Sequence, residues 1–299
     1  MVDFNKETYQ IQLEYIQNCE QPSQVFLAMS KLIDAFKSLD KLLIDSLVVD
    51  IESSIILKGI EVGSIKAILC TVLKAIDDDA IKDLDWKKLI GHYLLKAKYT
   101  ILRHLEDNNE FTNIEQVNKL CESIYFLAAE TDIKNTPIYI APTPRNLLSG
   151  ILNVYSSIET LSPEEKVIYS SQYGEVKINR FFNISEQVVE ELITKETMKS
   201  TTEMILRIKK PDYLGYSMWD VSYNNKIIQV KIMDFEWLHK FQNRKIDIQP
   251  GDSILANVET INYYGYDYSL INEHHTVIKV LDVIKNNYYP QQEIFNESN

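Results

Sequence analysis

Two short segments near the carboxyl end of the sequence combine side chain types that bind ligands. The first holds the cations Lys209 and Lys210, followed by the aromatic residues Tyr213 and Tyr216. The second holds four aromatic residues close together: Tyr263, Tyr264, Tyr266 and Tyr268. Aromatic faces stack on bases or sugars while cations hold phosphate, and tyrosine also covers protein surfaces at a low cost in conformational entropy. We therefore expect a binding surface, with a protein as the preferred partner, single-stranded nucleic acid or a nucleotide as the alternative, and plain loop packing as the third interpretation.

A second group of residues lies on a predicted β-hairpin. Asn224-Asn225 forms a two-residue turn, which places Asp220 opposite Gln229, with Lys231 on the same face. This arrangement is similar to a degenerate form of the nuclease pattern PD-(D/E)xK, in which carboxylates hold Mg²⁺ and the lysine orients the attacking water. The resemblance implies a Mg²⁺-dependent nuclease, and the preceding helix could add Glu190 or Glu191 as a further carboxylate. The same alternation is typical of any hairpin face that meets solvent.

A third group is a basic stripe on a predicted long helix. Its members recur at helical spacing: Lys88, His92, Lys96 and Arg103. Side chains three or four residues apart share one helix face, so the stripe could bind an anionic partner. Such a stripe is more often the solvated face of an amphipathic helix.

Charge restricts the partners that the whole chain can attract. The 299 residues include 31 Lys and Arg against 43 Asp and Glu, which gives a net charge of -12. This field repels nucleic acid and anionic membranes at long range, so a nucleic-acid site would need a local basic patch. Acidic residues beside the tyrosine segments add to that repulsion: Asp212, Asp267 and Glu273.

Other residue counts exclude several function classes. The 8 glycines form no phosphate-binding loop, dinucleotide fingerprint or nucleophile elbow, and the 5 histidines have no zinc-binding spacing. The 3 cysteines are isolated, which is typical of a reducing compartment. We expect a cytoplasmic protein with no membrane contact, no resident metal and no cofactor, apart from Mg²⁺ under the nuclease interpretation.

The amino-terminal part predicts a small sheet covered by helices. Residues 8–16 alternate as a half-buried strand, Pro22 opens a helix, 53–73 read as a hairpin, and two further helical patterns follow. The order of this α+β domain, 1–135, is β-α-β-β-α-α. Residues 136–200 are predicted as a linker and helical connector, with helix starts at Pro144 and Ser162 and a helix over 185–197.

The carboxyl-terminal part predicts an OB-like five-stranded β-barrel over 201–285. Strand patterns cover 202–210, 217–223, 226–233, 252–262 and 275–284, and Asp234 caps a helix between the third and fourth strands. The order β-β-β-α-β-β is that of an OB-type barrel, which a helix closes at one end and whose loops bind macromolecules. Residues 286–299 form a polar tail.

Together these patterns predict a non-catalytic binding or adaptor protein that acts through its barrel loops. The chain as a whole, rather than any single motif, resembles bacterial proteins of defence and mobile-element systems, which implies an adaptor role in such a system and assigns no family. The nuclease and the single-strand binding module are the alternatives.

Overall fold

The computed structural model describes residues 8–16, 22–47, 51–61, 65–75, 86–130 and 140–286. The chain divides into two compact units, Met1–Ile193 and Thr194–Asn299, and each is described by itself below. Residues 136–139 of the predicted linker and residues 287–299 of the predicted polar tail lie outside the described residues. Within the described ranges, no helix is long and apolar enough to cross a membrane.

The first unit contains the predicted order of strands and helices and extends it. Its elements are β1 (Thr8–Glu14), α1 (Pro22–Asp45), β2 (Ile51–Glu61), β3 (Ile65–Ala75), α2 (Trp86–Glu106), α3 (Ile114–Glu130), α4 (Pro144–Ile158), β4 (Lys166–Ser171), β5 (Gly174–Lys177) and α5 (Glu186–Ile193). The strands form one antiparallel sheet in the order β2-β3-β1-β4-β5. The predicted α+β class and the small sheet at the amino terminus are confirmed.

Strands β4 and β5 lie within the segment that the sequence predicted as a connector. The helix predicted to start at Ser162 is wrong: the segment makes a turn in which the Glu165 carboxylate accepts a hydrogen bond from the Ser162 N–H at 2.8 Å. The chain then enters β4, which pairs with β1. The apolar run 167–169 is buried in this position. Burial of such a run between two strands outweighs the local helix-start signal.

A buried ion pair lies at the centre of the first unit. The Lys98 ammonium of α2 lies 2.6 Å from Asp40 Oδ1 of α1, and both side chains are fully buried. The other carboxylate oxygen accepts a hydrogen bond from the Thr71 hydroxyl of β3 at 2.7 Å. The ammonium also lies 4.1 Å from the centroid of the Tyr9 ring of β1. Removal from water lowers the pKa of Lys98, and the nearby Asp40 opposes that effect.

The second unit is a closed five-stranded barrel. Its elements are β6 (Thr194–Lys210), β7 (Trp219–Tyr223), β8 (Lys226–Ile232), α6 (Phe235–Gln242), β9 (Ser253–Gly265) and β10 (Leu270–Ile284), and the strand order is β10-β8-β7-β6-β9. Strand β8 lies parallel to β10, and the other pairs are antiparallel. This connectivity, with one helix between the third and fourth strands, is that of an OB-type barrel, so the prediction is confirmed.

Helix α6 packs against aromatic side chains of the barrel core. The Asp234 carboxylate accepts a hydrogen bond from the Trp237 N–H at 3.1 Å, as expected of a helix cap. The Trp219 ring of β7 lies 5.9 Å from Trp237 and 5.1 Å from Phe241. These aromatic contacts fix the helix to β7, the strand that follows the first barrel loop.

Strand β6 starts earlier than the sequence predicted. The predicted helix over 185–197 ends at Ile193, and the strand predicted from residue 202 begins at Thr194. Strand β10 likewise starts at Leu270 instead of His275. The extra residues pair with β9, which satisfies their backbone groups on that side. Residues 194–199, 261–265 and 270–274 therefore form a three-stranded sheet in which β10 does not yet pair with β8.

We expect Lys98→Met to lower the free energy of unfolding of the first unit by about 3–5 kcal/mol, because it leaves the Asp40 carboxylate buried without its counter-charge. Urea denaturation followed by circular dichroism measures the change. The double variant Asp40→Leu/Lys98→Met should recover part of the loss, since an apolar pair replaces the ion pair. Lys88→Met, at an exposed position of the same helix, is the control. Equal losses in the single and double variants would contradict this role of the pair.

Candidate functional site

The loop between β6 and β7, residues 211–218, is held together by one carboxylate. Asp212 Oδ1 accepts hydrogen bonds from the N–H groups of Leu214 and Gly215 at 3.0 and 2.9 Å. Asp212 Oδ2 accepts from the N–H and the hydroxyl of Ser217 at 2.9 and 2.6 Å. These four hydrogen bonds hold the pKa of Asp212 well below its usual range. The backbone of the loop is therefore fixed around an ionised side chain.

The β6–β7 loop is also attached to helix α6. The Gln242 side-chain amide donates a hydrogen bond to the Gly215 carbonyl at 2.8 Å. A Cβ atom at Gly215 would lie 2.9 Å from Asp212 Oδ2, so a larger residue there would push the carboxylate away from its hydrogen-bond donors. The Tyr213 ring lies 5.1 Å from Phe241 of α6. The loop and the helix thus form one rigid structure.

Five apolar side chains are exposed on this loop and on the first turn of α6. We call them the apolar loop surface: Tyr213, Leu214, Tyr216, Met218 and Phe235. The Tyr216 and Phe235 rings meet edge to face, with their centroids 6.0 Å apart. Leu214 is 96% exposed, although its backbone is held by Asp212. An exposed apolar cluster on a fixed backbone is a feature of surfaces that bind other molecules.

Cations adjoin the apolar loop surface on strand β6. Arg207, Lys209 and Lys210 are exposed, and Lys231 is exposed on β8. The strand register places Lys210 opposite Asp220. Within the residues that the structure describes, none of the four cations forms an ion pair. They make a local basic patch in an otherwise acidic chain.

The second tyrosine segment lies elsewhere on the barrel. Tyr263 and Tyr264 belong to strand β9 and are half-buried, so the prediction that they form a loop is wrong. Tyr266 and Tyr268 lie in the β9–β10 turn, where the Lys195 ammonium donates a hydrogen bond to the Tyr268 hydroxyl at 3.0 Å. The connection between β9 and β10 is a tight turn, because both strands extend further than predicted. Tyr263 and Tyr264 pair with residues at the start of β10.

The two predicted binding segments lie at opposite ends of strand β6. The β9–β10 turn adjoins Thr194, whereas the β6–β7 loop follows Lys210. Sixteen residues separate these positions along the strand. At 3.3 Å per residue this is about 50 Å of strand. The structure therefore brings Lys209, Lys210, Tyr213 and Tyr216 together and leaves the second tyrosine segment apart from them.

The hairpin residues of the nuclease interpretation have the predicted pairing. Asp220 lies opposite Gln229, whose side-chain amide donates a hydrogen bond to Asp220 Oδ1 at 3.1 Å. Lys231 is exposed two residues later on β8, and Glu190 belongs to α5 in the first unit. Within the described residues, no group of three or more His, Cys, Asp or Glu side chains could hold a metal ion. The hairpin itself contributes one carboxylate, that of Asp220. One oxygen of this carboxylate already accepts a hydrogen bond from the Gln229 side-chain amide.

The basic stripe of helix α2 is partly neutralised by acidic neighbours. The Lys96 ammonium lies 2.5 Å from Glu130 of α3, and Arg103 pairs with Glu106. The carbonyl of His92 accepts a hydrogen bond from a hydroxyl of the β4–β5 turn. Lys88 is exposed. Two of the four stripe residues, Lys96 and Arg103, thus have acidic partners.

The sequence reasoning missed the role of Asp212 and the exposed apolar residues around it. It treated Asp212 as a charge that repels phosphate, whereas its carboxylate accepts hydrogen bonds from the loop backbone. The signal was available, because an aspartate followed by glycine and serine is typical of a turn held by a side chain.

Comparison of the chain with family models, curated proteins and solved structures finds no match.

We expect Asp212→Ala to raise hydrogen–deuterium exchange at the amides of Leu214, Gly215 and Ser217, because they lose their acceptor. Mass spectrometry of peptides that cover 211–218 measures the change. In the parent chain, protection should persist at about pH 3, where a carboxylate of ordinary pKa is mostly protonated, since a depressed pKa keeps Asp212 ionised there. Asp282→Ala, at an exposed position of β10, is the control. Unchanged exchange in Asp212→Ala would show that the loop is held by other contacts.

Proposed function

We propose that this chain is a non-catalytic binding protein whose barrel engages a protein partner through the apolar loop surface. The observation that carries the proposal is the 96% exposure of Leu214 on a loop fixed by Asp212. A surface that is already ordered loses little conformational freedom on association, which favours binding. Covering the leucine and the aromatic rings around it removes apolar area from water, at about 25 cal/mol per Å².

The neighbouring cations indicate the chemistry of this partner. Arg207, Lys209 and Lys210 adjoin the apolar loop surface and are exposed. A partner with an apolar centre and acidic residues at its rim would complement them. The net charge of -12 opposes the approach of such a partner. Salt screens that field over about 8 Å at physiological ionic strength, whereas the local cations act at contact distance.

A photo-reactive amino acid in place of Leu214 tests the proposal in cells that naturally express the chain. Irradiation should give one discrete adduct with another protein, detected by gel shift and identified by mass spectrometry. The same substitution at Leu270, an exposed leucine of β10, should give no such adduct. In the photo-reactive chain, Tyr216→Asp should abolish the adduct without changing the circular dichroism spectrum. Absence of an adduct at position 214, or the same adducts at both positions, would overturn the proposal.

Single-stranded nucleic acid is the second candidate partner, and the basic patch favours it. OB-type barrels bind oligonucleotides with this loop and the adjoining strands. Here those strands carry Arg207, Lys209, Lys210 and Lys231, and the β6–β7 loop adds exposed tyrosine rings. Cations would neutralise phosphates while the rings stack on bases. The same residues would thus serve a different class of partner.

Fluorescence anisotropy with a labelled single-stranded oligonucleotide tests this candidate. Affinity should fall as salt rises, and Lys209→Ala/Lys210→Ala should reduce the slope of log K against log salt by about 1.4, because two phosphate contacts are lost. Lys245→Ala/Lys279→Ala removes two exposed lysines outside the patch and is the matched control. No binding at low salt, or equal slopes for the two double variants, would exclude the nucleic-acid role of this patch.

A further inference from the structure

The chain leaves the barrel beside the strand that leads into the β6–β7 loop. The Asn286 N–H donates a hydrogen bond to Asp252 Oδ1 at 2.9 Å. The backbone carbonyl of Asp252 accepts a hydrogen bond from the Ile208 N–H at 2.7 Å. Ile208 lies two residues before the end of β6 at Lys210. The residues that follow Asn286 in sequence therefore start next to the basic patch.

The apolar loop surface lies within reach of these residues. The described part of the second unit runs without a break from 194 to 286, and the sequence continues with residues 287–299. Leu214 lies six residues after Ile208, which is at most about 20 Å of extended chain. The loop folds back around Asp212, so its span is shorter than this limit. Phe295 lies nine residues after Asn286, which allows a reach of about 30 Å.

The sequence of residues 287–299 complements the apolar loop surface. Its apolar and aromatic side chains are Tyr288, Tyr289, Ile294 and Phe295. Its charged residues are both acidic, Glu293 and Glu297, and they flank the apolar pair. The apolar loop surface has the matching composition, with exposed apolar side chains beside the exposed cations of β6. Apolar contact and electrostatic complementarity thus favour the same pairing.

We propose that residues 287–299 cover the apolar loop surface of the same chain and so regulate its binding. Ile294 and Phe295 would contact Leu214, and the two glutamates would lie against the basic patch. The segment is attached to the barrel, so a weak contact forms at high effective concentration. The inference rests on the proposed function, because the segment occupies the surface that a protein partner needs.

The segment also describes the partner that would displace it. A competitor for this surface must offer apolar side chains to Leu214 and negative charge to the basic patch. An adjacent apolar pair between acidic residues, as in residues 293–297, has this chemistry. The inference therefore assigns the partner a short acidic segment with an apolar centre.

A photo-reactive amino acid in place of Leu214 tests the contact in the purified full chain. Irradiation should link position 214 to a peptide from 287–299, in a product that migrates as one chain. The same substitution at Leu270 should give no such link. A mixture of isotope-labelled and unlabelled chains shows by mass spectrometry whether the link lies within one chain. Absence of this link, or a link mainly between two chains, would overturn the proposal.

A matched pair of variants tests the apolar part of the contact. In the photo-reactive chain, Ile294→Asp/Phe295→Asp should abolish the link, because the apolar pair is lost. Gln291→Asp/Gln292→Asp adds the same charge to the same segment and should retain the link. Loss of the link in both variants, or in neither, would contradict contact through Ile294 and Phe295.

Charge exchange tests the electrostatic part of the contact. Glu293→Lys/Glu297→Lys should lower the yield of the link several-fold, because lysines would then face the cations of β6. Lys209→Glu/Lys210→Glu, added to the same chain, should restore the yield. Failure of this restoration would contradict contact between the glutamates and the basic patch.

The adduct formed in cells separates the regulation from the proposed function. In cells, Ile294→Asp/Phe295→Asp should raise the yield of the protein adduct at position 214 several-fold, because the partner no longer competes with the segment. An adduct in cells without a link in the purified chain would leave the proposed function standing and overturn the regulation. A link in the purified chain without any adduct in cells would instead overturn the proposed function.

Discussion

The second unit depends on one constraint, which is that strand β6 is longer than the barrel it closes. Its 17 residues carry backbone N–H and C=O groups along two edges, which need partners wherever the strand is buried. Strand β9 satisfies one edge, and β7 takes the other edge only from Arg207 onward. Where the strand ends at Lys210, the side chain of Asp212 becomes the acceptor for the next amides. One end of β6 therefore leads into a rigid loop, and the other end presents an unpaired edge.

Carboxylates repeatedly act as backbone acceptors in this barrel. Asp234 accepts hydrogen bonds from the N–H groups of Trp237 and Val280, both at 3.1 Å, which joins helix α6 to strand β10. Asp252 accepts from Gln249 at 3.0 Å and from the chain after β10. These carboxylates are thus engaged by the backbone of the barrel itself. The basic patch beside the loop has a separate origin, which is the clustering of exposed cations on β6 and β8.

The parts of the fold that could be predicted are those whose conformation is set by residues next to each other in the sequence. Asn224 and Asn225 have φ values of 47° and 63°, as a two-residue hairpin turn requires, and Asp234 caps its helix. Lys98 was missed because a lysine on a helix is usually solvated, although it lies four residues after the buried Leu94 on the apolar face. The early start of β6 has no local signal, since its partner β9 is distant in sequence. The exposure of the apolar loop residues depends on such non-local pairing as well.

The apolar loop surface is too small to hold a partner by itself. Its five side chains are far fewer than the roughly 20–30 residues that each partner contributes to a standard interface, so one loop alone would bind weakly. Arg207, Lys209 and Lys210 lie on the strand that leads into the loop, and they widen the area that a partner can contact. A partner that meets the loop and these cations together gains affinity from the second contact, because it forms at high effective concentration. Contact with the cations would thus turn a weak apolar contact into a selective one for partners with an acidic rim.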